Sequence, residues 1–269
     1  MSASVRENSA GLRARLDLRR GDPQLEALPG DLFAAADLIG RDPQLRMALS
    51  DAGQPAQSRA GLAHALFDGR MSSTAVEVLA DVAGQRWSSP EDLLEATEQL
   101  AEQSAFMVAE HAGSLDAVED QLFAFSRAVS GSADLQMALT DPSVGAAQKA
   151  GLVESLLEGR AVPQASQVLS YAMGHLRGRR VDSVIEGLMD LAGEQRGRSI
   201  AEVRVARPLA QDQADRLTAA LSRIHGRDVR LNVAVDPDVI GGISVRIGSE
   251  VLDATVATRI EQARRALVG

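Results

Sequence analysis

Residues 32–70, LFAAADLIGRDPQLRMALSDAGQPAQSRAGLAHALFDGR, align without a gap on residues 122–160, LFAFSRAVSGSADLQMALTDPSVGAAQKAGLVESLLEGR. From Leu32 to Gly84, 19 of 53 positions match their partner 90 residues on, where composition alone gives about four, so part of the chain is a duplication. A period of 90 is too long for a solenoid unit and suits a small helical bundle. With 269 residues the chain holds two such copies and has room for a third segment. Aromatics are only 3% of residues. Ala and Leu must therefore fill the core, and both favour closely packed helices.

Helix signals agree between the copies. Val168, Leu169, Ala172, Met173 and Leu176 draw one apolar stripe at helical spacing, and Val78, Leu79, Val82 and Ala83 repeat it. Asp42-Pro43, Asp141-Pro142, Gly69 and Gly159 mark turns or helix starts. Ser89, Pro90 and Asp92 make a helix start with Ser89 as N-cap, Pro90 as first helical residue and Asp92 placed to complete a capping box. The long helix beginning there, about 91–112, carries Leu93, Leu94, Thr97, Leu100 and Ala101 on one face. Phe106, Met107 and Ala109 point differently, as in a helix shared by two bundles. The stripe Val181, Val184, Ile185, Leu188, Leu191, Ala192 closes the second copy.

After Gly197 the period shifts from 3.6 to 2. Ala201, Val203 and Val205 form a strand; a helix with Leu217, Leu221 and Ile224 follows; Val229 to Val235 and Ile243 to Ile247 are further strands. Val251 to Val256 is a short fourth strand before a terminal helix over Thr258 to Leu267. The fold class is mostly α with a small α+β C-terminal module: two tandem helical bundles sharing a long helix, then a small β-sheet domain with helices. The domains are residues 1–90, 91–197 and 198–269.

The segment AEVRVARPLAQDQADRLTAALSRIHGRDVRLNVAVDPDVIGGISVRIGSEVLDATVATRIEQARRAL resembles the C-terminal signature of the delta subunit family of F-type ATP synthases, which includes the oligomycin sensitivity conferral protein. Its parts run in order: A-R-P-L, a Gln-containing helix, the turn Val235-Asp236-Pro237, Ile240-Gly241-Gly242, and R-I-G-S-E-V-L-D ending at Asp253. EHAGSLDAVEDQLFAF from Glu110 and LQMALTDPSVGAAQKAGLVESLL from Leu135 resemble the six-helix N-terminal domain of that family. The likeness covers roughly residues 91–269, and the extra first copy is similar to the long delta subunits of actinobacteria. Ser249 and Ala254 depart from the family pattern at turn positions, where an acidic and a small residue are usual.

The resemblance implies a non-catalytic stator subunit at the cytoplasmic face of a bacterial plasma membrane, attached only through its complex. Its partners are an alpha-subunit N-terminal helix, held by the helical domain, and the C-terminal end of the b subunit, held by the C-terminal domain. The family's groove lies between the first and fifth helices of the bundle. Carried onto the second copy, those are Leu100 to His111 and Pro163 to Leu176, with Phe106, Val168, Leu169 and Tyr171 as alpha-binding candidates. Ile240, Gly241, Gly242, Ile243, Val251 and Asp253 are candidates for binding the b subunit or for supporting the turn that does. In the first copy Leu12, Leu16, Val78 and Leu79 keep a groove apolar while Asp81 replaces Tyr171. That copy either holds a second alpha helix or is a spacer.

The remaining residues point to no chemistry. Four histidines, at 64, 111, 175 and 225, have no ligand spacing, and no cysteine completes a metal set; His175 and His225 suit helix C-termini. The Walker pattern and the nucleophile elbow are absent, so no cofactor and no catalytic residue is expected. Net charge is −9. Residues 91–180 hold 13 acidic and 6 basic side chains, with nine carboxylates and no Lys or Arg between Glu91 and Asp120. That run is either a solvated helix face or a docking face for a basic helix, and it disfavours nucleic acid. An RNA-binding module and a helical adaptor of another complex are the alternatives. Arg177, Arg179 and Arg180 answer a helix dipole, and Trp87 and Tyr171 serve packing.

Overall fold

In the computed structural model, the described residues are 3–197, 200–225, 229–236, 241–247 and 250–253. They form two compact units, Met1–Ala192 and Gly193–Gly269. The first holds α1 (Ala3–Asp17), α2 (Leu28–Arg41), α3 (Pro43–Ser50), α4 (Ala56–Phe67), α5 (Ser73–Gly84), α6 (Pro90–His111), α7 (Leu115–Ser130), α8 (Ala133–Thr140), α9 (Ala146–Leu157), α10 (Pro163–Gly174) and α11 (Val181–Gly197), which runs past its end. The second holds β1 (Ile200–Val205), α12 (Gln211–His225), β2 (Arg230–Val235), β3 (Ile243–Ile247) and β4 (Glu250–Asp253).

The local signals act as their chemistry requires. Ser89 accepts from the Asp92 backbone N–H and Pro90 occupies the first turn of α6. Asp42 caps α3 by accepting from the N–H groups of Gln44 and Leu45. Asp141 instead shapes a turn, accepting from the Ser143 N–H and Oγ. Gly69 and Gly159, repeat partners, follow α4 and α9 with φ of 73° and 66°, the left-handed conformation that ends a helix without a Cβ clash.

The two helical copies have one continuous core rather than two, which differs from the separately cored bundles expected from the repeat. The cause is α6. From Asp92 to Ala109 only Glu95, Gln99 and Glu102 are not buried, because α1, α2, α3, α5, α7 and α10 all pack on this helix. The expected stripes of α5, α10 and α11 are buried except Leu191, which is partly covered.

In the second unit the strand order is β2-β1-β3-β4. β1 and β2 are parallel with α12 as crossover, whereas β1–β3 and β3–β4 are antiparallel. Ala201, Val203, Val205, Val245 and Ile247 alternate into a core with Leu221 and Val229. The terminal helix expected over Thr258 to Leu267, together with Ile240, Ser249 and Ala254, lies outside the described residues.

Candidate functional site

The expected groove of the second copy is the seam between α6 and α10. Phe106, Val168 and Leu169 are 0% exposed, so they are core under this seam and not an accessible wall. Their apolar stripe suggested a surface groove, but such a stripe looks the same in sequence whether its cover is internal or external. Only Tyr171 is partly exposed.

What covers the seam is α2. Gly40 of α2 lies against Leu94 of α6, and Leu25, just before α2, shares a cleft of about 610 Å³ with Val108, His111 and Gln164. The two helices are therefore antiparallel. On α10, Phe33 packs against Tyr171 with ring centroids 4.5 Å apart, and Asp37 Oδ1 lies 3.2 Å from His175 Nε2. A Cβ on Gly30 would stand 3.6 Å from the Gln167 amide nitrogen. Positions 30, 33 and 37 thus meet 167, 171 and 175 in order, so α2 runs in the same direction as α10 where their side chains meet.

A polar network locks this arrangement. The Tyr171 hydroxyl donates to Glu98 Oε1 at 2.9 Å, and Arg177 holds both Glu98 oxygens at 2.9 and 2.6 Å. Burial and the adjacent Glu98 carboxylate push the Tyr171 phenol far up, so it stays a donor. Burial works against the charge on Arg177, but Glu98 outweighs it and raises its pKa. Arg177 sits at φ 48°, and this bidentate pair is its main role instead of the helix dipole. Arg179 does donate to the carbonyls of Leu176 and His175 just past α10, and Arg180 pairs with Asp182. His175 stacks on Tyr171 at 4.2 Å.

The acidic run divides: Asp116 and Asp120 on α7 lie exposed on the surface, whereas several carboxylates of α6 face cations of the bundle. Glu91 faces Arg46, Glu98 faces Arg177 and Glu110 faces Arg20, so these carboxylates of α6 are matched within the bundle. Glu102 differs. Although part of its side chain reaches the surface, desolvation among the packed helices, then the Glu98 charge, raise its pKa to about 8. A carboxyl whose folded pKa exceeds its unfolded value favours folding at low pH, and that contribution is lost as pH rises from about 4.5 to about 8. Glu102→Gln is accordingly expected to match the wild type at pH 5 and to exceed it at pH 8.5 by on the order of 1–2 kcal/mol, discounted for partial solvation. Urea denaturation at the two pH values, followed by fluorescence of the sole tryptophan, measures this; equal differences at both would contradict it. That tryptophan, Trp87, is 7% exposed and donates to the Val82 carbonyl.

Helix α1 packs beside α6 in a register set by the duplication. Ser9 Oγ donates to Gln99 Oε1 at 3.2 Å, and Arg20 donates to Glu110 at 2.6 Å. The Gln103 amide, oriented to accept, takes hydrogen bonds from Arg13 at 2.6 and 2.9 Å. Each pair joins residues 90 apart, so equivalent helices of the two copies lie parallel, residue beside partner residue. Sequence reasoning missed Arg59, 3% exposed, which donates to the carbonyls of Ala83, Gly84 and Gln85 and closes the end of α5. A lone Arg in an Ala- and Leu-rich helix was the available signal.

In the second unit Gly241 and Gly242 have φ of 145° and 86° and lead into Ile243, which pairs with Val205. Asp253 pairs with Ser244, and Val251 is 53% exposed on the edge strand β4. Ile240 lies outside the described residues.

A profile of the family described as ATP synthase delta (OSCP) subunit matches residues 102–267. An ATP synthase subunit delta of a Parafrankia species is 43% identical over 245 residues, 91% of this chain and 88% of that protein. The Streptomyces griseus ATP synthase subunit delta is 37% identical over 271 residues, 100% of both chains. That of Salinispora arenicola is 38% identical over 269 residues, 99% of this chain and 98% of the relative.

Proposed function

The chain belongs to the ATP synthase delta (OSCP) subunit family, and from that premise we propose that it is a non-catalytic stator subunit, joining the catalytic head to the peripheral stalk. The observation that carries this reading is the match to subunit delta relatives along the full chain, the extra helical copy included. In this role the helical unit holds an alpha-subunit N-terminal helix and the second unit grips the C-terminal end of the b subunit. The head is then held against rotation of the central shaft. The protein works at the cytoplasmic face of the plasma membrane as a peripheral component, and no described helix is long and apolar enough to cross a membrane.

The work is mechanical. A stator needs stiff bodies and helix-in-groove contacts that stay bound under load. A bundle whose central helix α6 is buried along most of its length suits that need, since bending it would break packing on several helices at once. For the b subunit, the second unit offers the outer strands of its described sheet, β2 and β4. Val233 and Val235 on β2 are 38% and 52% exposed, and Val251 and Leu252 on β4 are 53% and 41% exposed. Gly241 and Gly242 lead into Ile243 at the start of β3, and Asp253 ends the β3–β4 ladder opposite Ser244, so the β4 edge is the favoured contact.

Removal of residues 198–269 is expected to abolish capture of a fragment from the C-terminal end of b while leaving capture of an alpha N-terminal peptide intact, because the helical unit has its own core. Pull-down of each fragment by the full and shortened chains decides it. Unchanged b capture by the shortened chain would defeat the assignment.

A further inference from the structure

His175 is held between two hydrogen-bond acceptors. It caps the C-terminal end of α10, its side chain 19% exposed and its ring stacked on Tyr171. Nδ1 lies 2.9 Å from the Tyr171 carbonyl oxygen and Nε2 lies 3.2 Å from Asp37 Oδ1 on α2. A carbonyl and a carboxylate only accept, so each contact needs a proton on the ring nitrogen that faces it. The imidazolium supplies both. A neutral ring, in either tautomer, makes one of the bonds and turns a lone pair toward the other oxygen.

The duplication shows which bond calls for a histidine. The residue 90 positions before His175 is Gln85, whose side-chain amide donates to the Asp81 carbonyl four residues back, as His175 does to that of Tyr171. A group that does not titrate therefore suffices for that bond. What the histidine adds is the reach to Asp37, whose own repeat partner is Arg127, so the acid–imidazole pair has no counterpart at the equivalent positions. It bridges α2 of the first copy and α10 of the second.

We propose that Asp37 and His175 form a pH-sensitive clasp between the two helical copies, closed when the imidazole is protonated and loosened when it is neutral. Such a contact favours the charged ring, so it adds stability at low pH and loses it as the proton leaves. The charged groups around it come from three elements and the segment after α10. On α2, Asp37 also pairs with Arg41 at 2.8 Å. On α6, Glu98 is matched by Arg177, and Glu102 lies near Glu98 and Arg179. Arg179 donates to the His175 carbonyl from beyond α10, while Tyr171 on α10 remains a neutral phenol. With the ring neutral, Phe33 still packs on Tyr171, so the copies loosen at this end of α2 without separating.

A double-mutant cycle of Asp37→Ala and His175→Phe in the full chain, run at about pH 5.5 and about pH 8.5 on either side of the ordinary histidine range, tests this. Phenylalanine keeps a ring on Tyr171 but has no N–H. Glu102 is present in all four chains, so its own titration cancels. Urea unfolding followed by Trp87 fluorescence is expected to show a coupling of about fivefold in the unfolding equilibrium constant at the lower pH, the size of one charged hydrogen bond partly open to water. At the higher pH it should fall to about twofold or less. Hydrogen exchange of the α2 amides in native wild type and native His175→Phe, corrected for its intrinsic pH dependence, gives a second reading: the variant should lose more protection at the lower pH than at the higher. Equal coupling or equal loss of protection at both pH values, a coupling that grows with pH, or none at either would overturn the clasp.

Discussion

Truncating Phe106 to alanine is expected to lower the stability of the helical unit by about 3–5 kcal/mol, the range for removing a fully enclosed aromatic ring. Phe106 is 0% exposed in the middle of α6, where the copies share their core, so the void has no loose element beside it to collapse. Phe123→Ala is the control. Phe123 lies on α7 at 57% exposure, and its loss is expected to change stability by no more than about 0.5 kcal/mol. Trp87 lies in the helical unit, so its fluorescence in urea reports that unit without mixing in the second. A cost for Phe106→Ala similar to that for Phe123→Ala would return Phe106 to the role of a groove wall.

The second large effect concerns the polar network that ties α6 to the end of α10. Arg177→Leu strands the Glu98 carboxylate, whose side chain is 7% exposed and which keeps the Tyr171 hydroxyl as a donor. Breaking one side of a buried pair typically costs about 3–5 kcal/mol. Because the Arg177 side chain is 39% exposed, water reaches the pair and the expected cost falls to about 2–3 kcal/mol. Glu98→Gln in the same chain should restore part of it, since an amide bears no stranded charge. A double-mutant cycle read by Trp87 fluorescence should therefore show a coupling of about 1 kcal/mol or more. Additive effects of the two changes would mean that Glu98 and Arg177 are not energetically coupled.

Much of the fold was legible because its signals are local. The start of α6 at Ser89-Pro90, the left-handed turns at Gly69 and Gly159, and the change to period 2 after Gly197 follow from backbone stereochemistry and side-chain spacing within a few residues. That the two copies share one core was not legible. A repeat shows that two stretches fold alike, but α6 belongs to both, and nothing local in it states how many helices surround it. The carboxylates of α6 misled for the same reason: the partners of Glu98 and Glu110 are Arg177 and Arg20, 79 and 90 residues away.

The candidate alpha-binding residues show where sequence stops. Phe33 and Phe123 are the same residue at the same repeat position, yet one is 6% exposed against Tyr171 and the other 57% exposed. Leu18 and Val108 are likewise partners, at 87% and 7%. The sequence by itself determined the elements, their apolar faces, the duplication and the family, since each depends on order along the chain. Only the tertiary structure decided which faces are covered. Two copies stacked through a shared helix bury one copy's second helix in the other's seam and leave α1/α5 and α7 at opposite ends without that cover, because a head-to-tail stack of two has unlike ends that no repeat unit can specify.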